Sequence, residues 1–266
     1  MNWMTPDNNS FIAVIDSGVG GISVLCELID LMPWEHYVYF GDSIHAPYGT
    51  KSAKEIRALT LKITKNMLQR GAKAIVVACN TATSAAVRTM RELYPHIPII
   101  GIEPAVKPAS MISEHPTVVV MATPATLHLE KFHHLMSAYS DKVDMIPLAC
   151  PGLVELIEEG KFDGPEIEGY LHALFAPYHE KQIDAVVLGC THYPHIKAAI
   201  AKAVGNQTAI CDGGRGTAAE TKRRLEAAGL STDRKKMGYR IIENSAGEEK
   251  VSLCMQLLSR HKSSSS

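Results

Sequence analysis

AIVVACNT (74–81) and AVVLGCTH (185–192) carry one pattern twice. Each is a short run of Ala, Val, Ile or Leu, then a small residue, a cysteine and a polar pair. A bounded run of about four to eight apolar residues rich in β-branched side chains reads as a strand buried on both faces, as in a parallel sheet covered by helices. Three further runs accompany each copy. FIAVID (11–16), YVYFGD (37–42) and IPIIGI (97–102) belong with the first, and TVVVMA (117–122), VDMIPLA (143–149) and TAICDG (208–213) with the second. The runs follow the same order in both sets. The chain therefore reads as an internal duplication of about 100 residues.

Helical segments fill the gaps. SAKEIRALTLKITKNMLQR (52–70) sets Ile56, Leu59, Ile63, Met67 and Leu68 on one helical face, with Gly71 as the stop. The alternation predicts an α/β fold of two pseudo-symmetric halves, with mainly parallel sheets flanked by helices. Residues 215–266 read as helix, strand (YRIIEN, 239–244) and helix, without a counterpart in the duplication, and are expected to pack back on one half. HKSSSS (261–266) reads as a disordered low-complexity tail.

Composition narrows the function classes. With 27 basic and 28 acidic residues among 266, the net charge near −1 gives no cationic face for nucleic acid or anionic membrane. No apolar run approaches the roughly 20 residues of a spanning helix. MNWMTPDNNS (1–10) lacks the charged start and apolar stretch of a signal peptide, so a cytoplasmic protein is expected. The six cysteines include no CxxC pair, and a chain of this class needs no disulfide framework. Cys190 and His192 lack a second ligand pair at zinc-site spacing, so no metal is expected.

Ligands of parallel sheets bind beyond the carboxyl ends of the strands. Those ends carry Asp16-Ser17-Gly18, Pro47-Tyr48-Gly49 and Cys79-Asn80-Thr81 in the first half, and Thr123 to Thr126, Cys150-Pro151 and Cys190-Thr191-His192 in the second. If the halves face each other, the thiols of Cys79 and Cys190 can flank one carbon. One then removes a proton while the other delivers one to the opposite face, which is a two-base racemisation. Each cysteine precedes a predicted helix, whose N-terminus would favour a thiolate. Asp16 can assist Cys79, His192 can assist Cys190, and Glu158 can hold His192 in one tautomer. Ser17, Asn80, Thr81, Thr126 and Thr191, together with helix N-termini, suit an amino acid with two carboxylates. Singly, each residue has a plainer reading. Asp16 is then a helix cap, Glu158 a solvated helix face, and Cys26, Cys150, Cys211 and Cys254 small buried hydrophobes. DSGVGG (16–21) lacks the GK[ST] of a nucleotide loop. A two-lobed binding protein would not need matched thiols.

At these residues the chain resembles the glutamate racemase family of the aspartate/glutamate racemase superfamily, from Phe11 to about Leu258. The resemblance rests on DSGVGG (16–21), GDS with APYG (41–49), VACNTAT (77–83), IEPA (102–105), CPGLVELIE (150–158) and GCTHYP (189–194). Aspartate racemases resemble it at the cysteines but typically carry Glu where this chain has His192. The resemblance implies two α/β domains, 1–103 plus 215–266 and 104–214, with the active site in the cleft between them. It implies racemisation of L-glutamate to D-glutamate for peptidoglycan, without pyridoxal phosphate or metal. Cys79 would exchange the Cα proton with D-glutamate and Cys190 with L-glutamate, assisted by Asp16 and by His192 with Glu158. Asp16, Ser17, Tyr48, Gly49, Asn80, Thr81, Thr126 and Thr191 match positions that hold substrate. A homodimer is compatible with the resemblance, whose members associate in more than one way. The sequence departs from the family pattern at 122–126, at Asp212-Gly213-Gly214 and at His195.

Overall fold

The computed structural model describes residues 7–205 and 207–264. Among the described residues, nine strands form two sheets. The first contains β1 (Ile12–Asp16), β2 (Tyr37–Gly41), β3 (Ala74–Val77), β4 (Ile99–Gly101) and β9 (Arg240–Asn244), in the order β4-β3-β1-β2-β9. The second contains β5 (Thr117–Ala122), β6 (Asp144–Ala149), β7 (Ala185–Leu188) and β8 (Ala209–Asp212), in the order β6-β5-β7-β8. All pairings are parallel. Read from the other edge, the second sheet runs β8-β7-β5-β6, which is the order β4-β3-β1-β2 of the first. The duplication seen in the sequence is thus a duplication of topology, with β9 added beyond β2.

The inner strands form where expected because both of their faces are covered. In β1, Ile12 and Val14 pack with Ile22, Leu25 and Leu28 on one side, while Ala13 and Ile15 pack with Ile56, Met67 and Met90 on the other. In β5, Val119 and Met121 join the same core as Ile12 and Val14, so one apolar core runs from the first sheet to the second. The outer edge strand β6 is half-exposed and carries Pro147, which has no N–H to offer a further strand. The helix Ala53–Gln69 begins at a capping box between Ser52 and Glu55. The C-terminal helix Glu248–Ser264 is regular through Ser264, so the disordered tail expected over 261–266 is corrected for 261–264; the last two residues lie outside the described ones. A helix is favoured there because Glu248 and Glu249 open it and Leu257 and Leu258 bury one face. Among the described residues no helix is long and apolar enough to cross a membrane.

A buried ion pair closes the amino-terminal edge of the first sheet. Lys73 Nζ lies 2.7 Å from Glu35 Oε2 and donates to the carbonyls of Asn8 and Leu230. Glu35 Oε1 accepts from the Thr232 amide at 2.9 Å. Lys73→Met would strand a buried carboxylate, and the expected loss is about 3–5 kcal/mol in urea unfolding. The double variant Lys73→Met/Glu35→Gln should recover a large part of it, and a single-variant loss under about 1 kcal/mol would show that the pair is merely a surface-like contact.

Candidate active site

The two thiols occupy corresponding places. Cys79 lies two residues beyond β3, and Cys190 lies two residues beyond β7, its equivalent in the second sheet. Both are buried and free of disulfides, and they lie close enough that an anion on one would raise the other.

Their surroundings differ. Cys79 caps the helix Asn80–Leu93, and its sulfur accepts from the Ala82 amide at 3.4 Å. Burial pushes this thiol up to about 12, and the Asp16 carboxylate adds to the rise, while the Ser17 hydroxyl and the Ala82 amide oppose it. Burial likewise raises Asp16 above the usual carboxylate range, against the pull of the His192 charge. Asp16 is not a helix cap. Its Oδ1 accepts from the Gly18 amide at 3.0 Å and its Oδ2 from the Thr191 hydroxyl at 3.1 Å, which ties β1 to the Cys190 loop.

The helix expected after Cys190 is present, but its N-terminus does not lie at this thiol as the other does at Cys79. A 3₁₀ turn, Tyr193–Ile196, comes first, and the α-helix begins only at Lys197. Tyr193-Pro194 explains this, since Pro194 has no amide to place in a helical turn at the strand end. An imidazole stands in for the helix terminus. His192 Nδ1 is 3.6 Å from the Cys190 sulfur, and its Nε2–H points to Glu158 Oε1 at 2.7 Å. Sulfur, imidazole and carboxylate therefore form one line. Burial alone would strip the proton from His192, but hydrogen bonds to Cys190 and Glu158 hold its titration well above the ordinary imidazole range.

Glu158 is buried at the end of the helix Leu153–Glu158, not solvated. Burial would raise its carboxyl, yet the His192 bond and charge, the Val19 amide and the Lys250 ammonium bring it down to about 2. Oε1 also accepts from Val19 N at 2.7 Å; Oε2 accepts from Lys250 Nζ at 3.1 Å and from the Ser43 hydroxyl at 3.4 Å. This accounts for two of the three glycines of DSGVGG. A Cβ on Gly18 would strike the Glu158 carboxylate, and one on Gly20 the His192 ring.

A hydroxyl cluster joins the halves. Thr81 lies 2.9 Å from Thr126 and 3.3 Å from Thr123, and Thr123 lies 2.9 Å from Thr126. A Cβ on Gly49 would press on Thr123. Asn80 is buried, neither its amide oxygen nor its amide nitrogen has a hydrogen-bond partner among the described residues, and a cavity of about 30 Å³ lies beside it and Thr126. The Tyr48 hydroxyl is committed to Asp42 at 2.8 Å, so this side chain shapes a wall.

Three groups were missed in the sequence. Ser43 and Lys250 hold Glu158, and His195 holds the Gly20 carbonyl at 3.1 Å. Burial and the His192 charge push His195 down to about 4, so it donates as a neutral ring. His195 was visible as a departure from the family pattern; nothing in spacing marks Lys250.

Comparison with known proteins agrees with this architecture. The profile of the Asp/Glu/Hydantoin racemase family matches residues 28–221. A glutamate racemase of Clostridium perfringens is 49% identical over 243 residues, covering 91% of this chain and 94% of that protein. Among solved structures, glutamate racemase from Francisella tularensis in complex with D-glutamate superposes with a TM-score of 0.82 at 29% identity, covering 95% of this chain and 94% of that one. The Escherichia coli enzyme in complex with L-glutamate and the activator UDP-MurNAc-ala gives a TM-score of 0.84 at 30% identity, covering 95% of each chain. On the family profile and these relatives, the chain belongs to the Asp/Glu/Hydantoin racemase family, among the glutamate racemases.

Proposed function

We propose that the chain interconverts L- and D-glutamate by two-base proton transfer between Cys190 and Cys79, without pyridoxal phosphate or metal. The observation that carries the reading is the pair of thiols at equivalent strand ends of two sheets with one topology. In this reading 1–103 plus 215–266 and 104–214 are two domains with the substrate between them. The enzyme works in the cytoplasm and supplies D-glutamate for peptidoglycan.

In the L-to-D direction the Cys190 thiolate takes the Cα proton. The electron pair passes into the α-carboxylate, and Cys79 returns a proton from the other face. A thiol pushed up to about 12 is protonated at neutral pH, which suits Cys79 as the acid of this direction. His192 relays the Cys190 proton and Glu158 orients it. Asp16 assists Cys79. Ser17, Gly49, Asn80, Thr81, Thr126 and Thr191 hold the amino acid, with Tyr48 behind Gly49. The unpaired amide of Asn80 and the threonine hydroxyls are donors of the kind that two carboxylates require.

Because the two enantiomers have equal free energy, a defect on either side lowers kcat/KM equally in both directions. Cys79→Ser and Cys190→Ser should each lose racemisation by roughly 10²–10⁴. They should separate in a one-sided reaction, elimination of chloride from 3-chloroglutamate. Cys190→Ser is expected to keep activity on the D enantiomer and Cys79→Ser on the L. Racemisation near the wild-type rate in either variant would rule out that thiol as an obligatory base.

Substrate choice follows from the same donors. Aspartate is one methylene short and would leave distal donors unpaired, at about 1–3 kcal/mol each. Glutamate should have the higher kcat/KM by roughly tenfold or more, and equal constants would contradict the assignment.

The pH dependence of stability reports Glu158. Its folded carboxyl titrates at about 2 against an ordinary value of 4.5, so its contribution is complete above 4.5 and is lost as pH falls toward 2. Urea midpoints of the wild type should fall across that window. In Glu158→Gln the fall should be shallower, and an unchanged slope would count against the His192–Glu158 pairing.

A further inference from the structure

The helix Glu248–Ser264 has no counterpart in the duplication, yet it reaches the site through one side chain. Lys250 Nζ donates to both the main-chain carbonyl and the Oε2 of Glu158. The carbonyl closes the helix Leu153–Glu158, where acceptors lack helical partners. One ammonium thus grips the residue at two points and fixes the rotation of its carboxylate. With Oε2 held by Lys250 and Ser43, Oε1 is left for Val19 N and His192. A cavity of about 460 Å³ opens beside this contact. Among the described residues lining it, Lys250 is the one cation facing Glu158, Glu159 and Glu249. Without it, the Glu158 anion would keep His192 and lose the second of the two charges that hold its carboxyl down.

We propose that Lys250 is a positioning residue that serves only the Cys190 half of the reaction, by aiming the Glu158 carboxylate at His192. The proposal rests on Cys190 being the base toward L-glutamate. The partners of Cys79 are Ser17, the Ala82 amide and Asp16, and Lys250 is not among them.

Elimination from 3-chloroglutamate reads each half separately. The thiolate removes the Cα proton, chloride leaves from Cβ, and the resulting enamine tautomerises and hydrolyses to 2-oxoglutarate and ammonium. In the full-length chain, Lys250→Met should slow 2-oxoglutarate release from the L enantiomer by roughly 10–100-fold, the worth of one charged hydrogen bond. Release from the D enantiomer should be unchanged, and Lys250→Arg should restore most of the loss. Should Lys250→Met fail to fold, Lys250→Gln carries the same contrast. An equal loss with both enantiomers would mean a merely structural role, and no loss with the L enantiomer would mean no role; either overturns the proposal. Cys190→Ser in the same assay tests the underlying assignment. If it still processes the L enantiomer, Cys190 is not that base and the one-sided role of Lys250 falls with it.

Discussion

A carboxylate buried between two sheets has to be satisfied on every lone pair, because an unpaired charge there costs several kcal/mol. Glu158 meets that demand with groups from four places: the loop after β1, the loop after β2, the Cys190 loop and the C-terminal helix. Much of the sequence answers to this single anion. Gly18 and Gly20 lack side chains because the carboxylate and the imidazole occupy that space. Asn244, at the end of β9, donates to Ser43 and so orients the hydroxyl that reaches Glu158. The segment outside the duplication is thereby tied to chemistry in the second half.

The duplication is faithful in topology and broken in chemistry. Both thiols follow equivalent strands, but one caps a helix and the other faces an imidazole. Two enantiomers need bases on opposite faces; they do not need identical bases. The helix terminus offers Cys79 one amide and no proton carrier, and burial dominates there. His192 offers Cys190 a ring that can hold a proton between sulfur and carboxylate.

The inner strands were legible because both-sided burial leaves short, nearly unbroken apolar runs such as Ile12–Asp16 and Ala185–Leu188; the more exposed β6, β8 and β9 were legible from short apolar runs between turn residues. The thiols were legible because the pattern repeats around them. The His192–Glu158 contact was expected, but most of what side chains form across the fold was not readable. Glu158 sits on a six-residue helix whose amphipathicity does not reveal that its last residue is buried. Lys250 is 92 residues from Glu158, and no local pattern links them. The helix after Cys190 forms as expected, and its late start at Lys197 had a local signal in Pro194.

Burial of the site bears on the fate of the transferred hydrogen. Cys79, Cys190 and His192 are 5%, 9% and 1% exposed, and the cavity beside Asn80 has only about one water's share of space. Ser23 to the Thr191 carbonyl and His195 to the Gly20 carbonyl are among the bonds that join the two halves beside this site. With so little space around them, the sulfurs meet solvent only when such contacts loosen, so hydrogen exchange at either thiol reports local opening of the fold more than the acidity of the thiol.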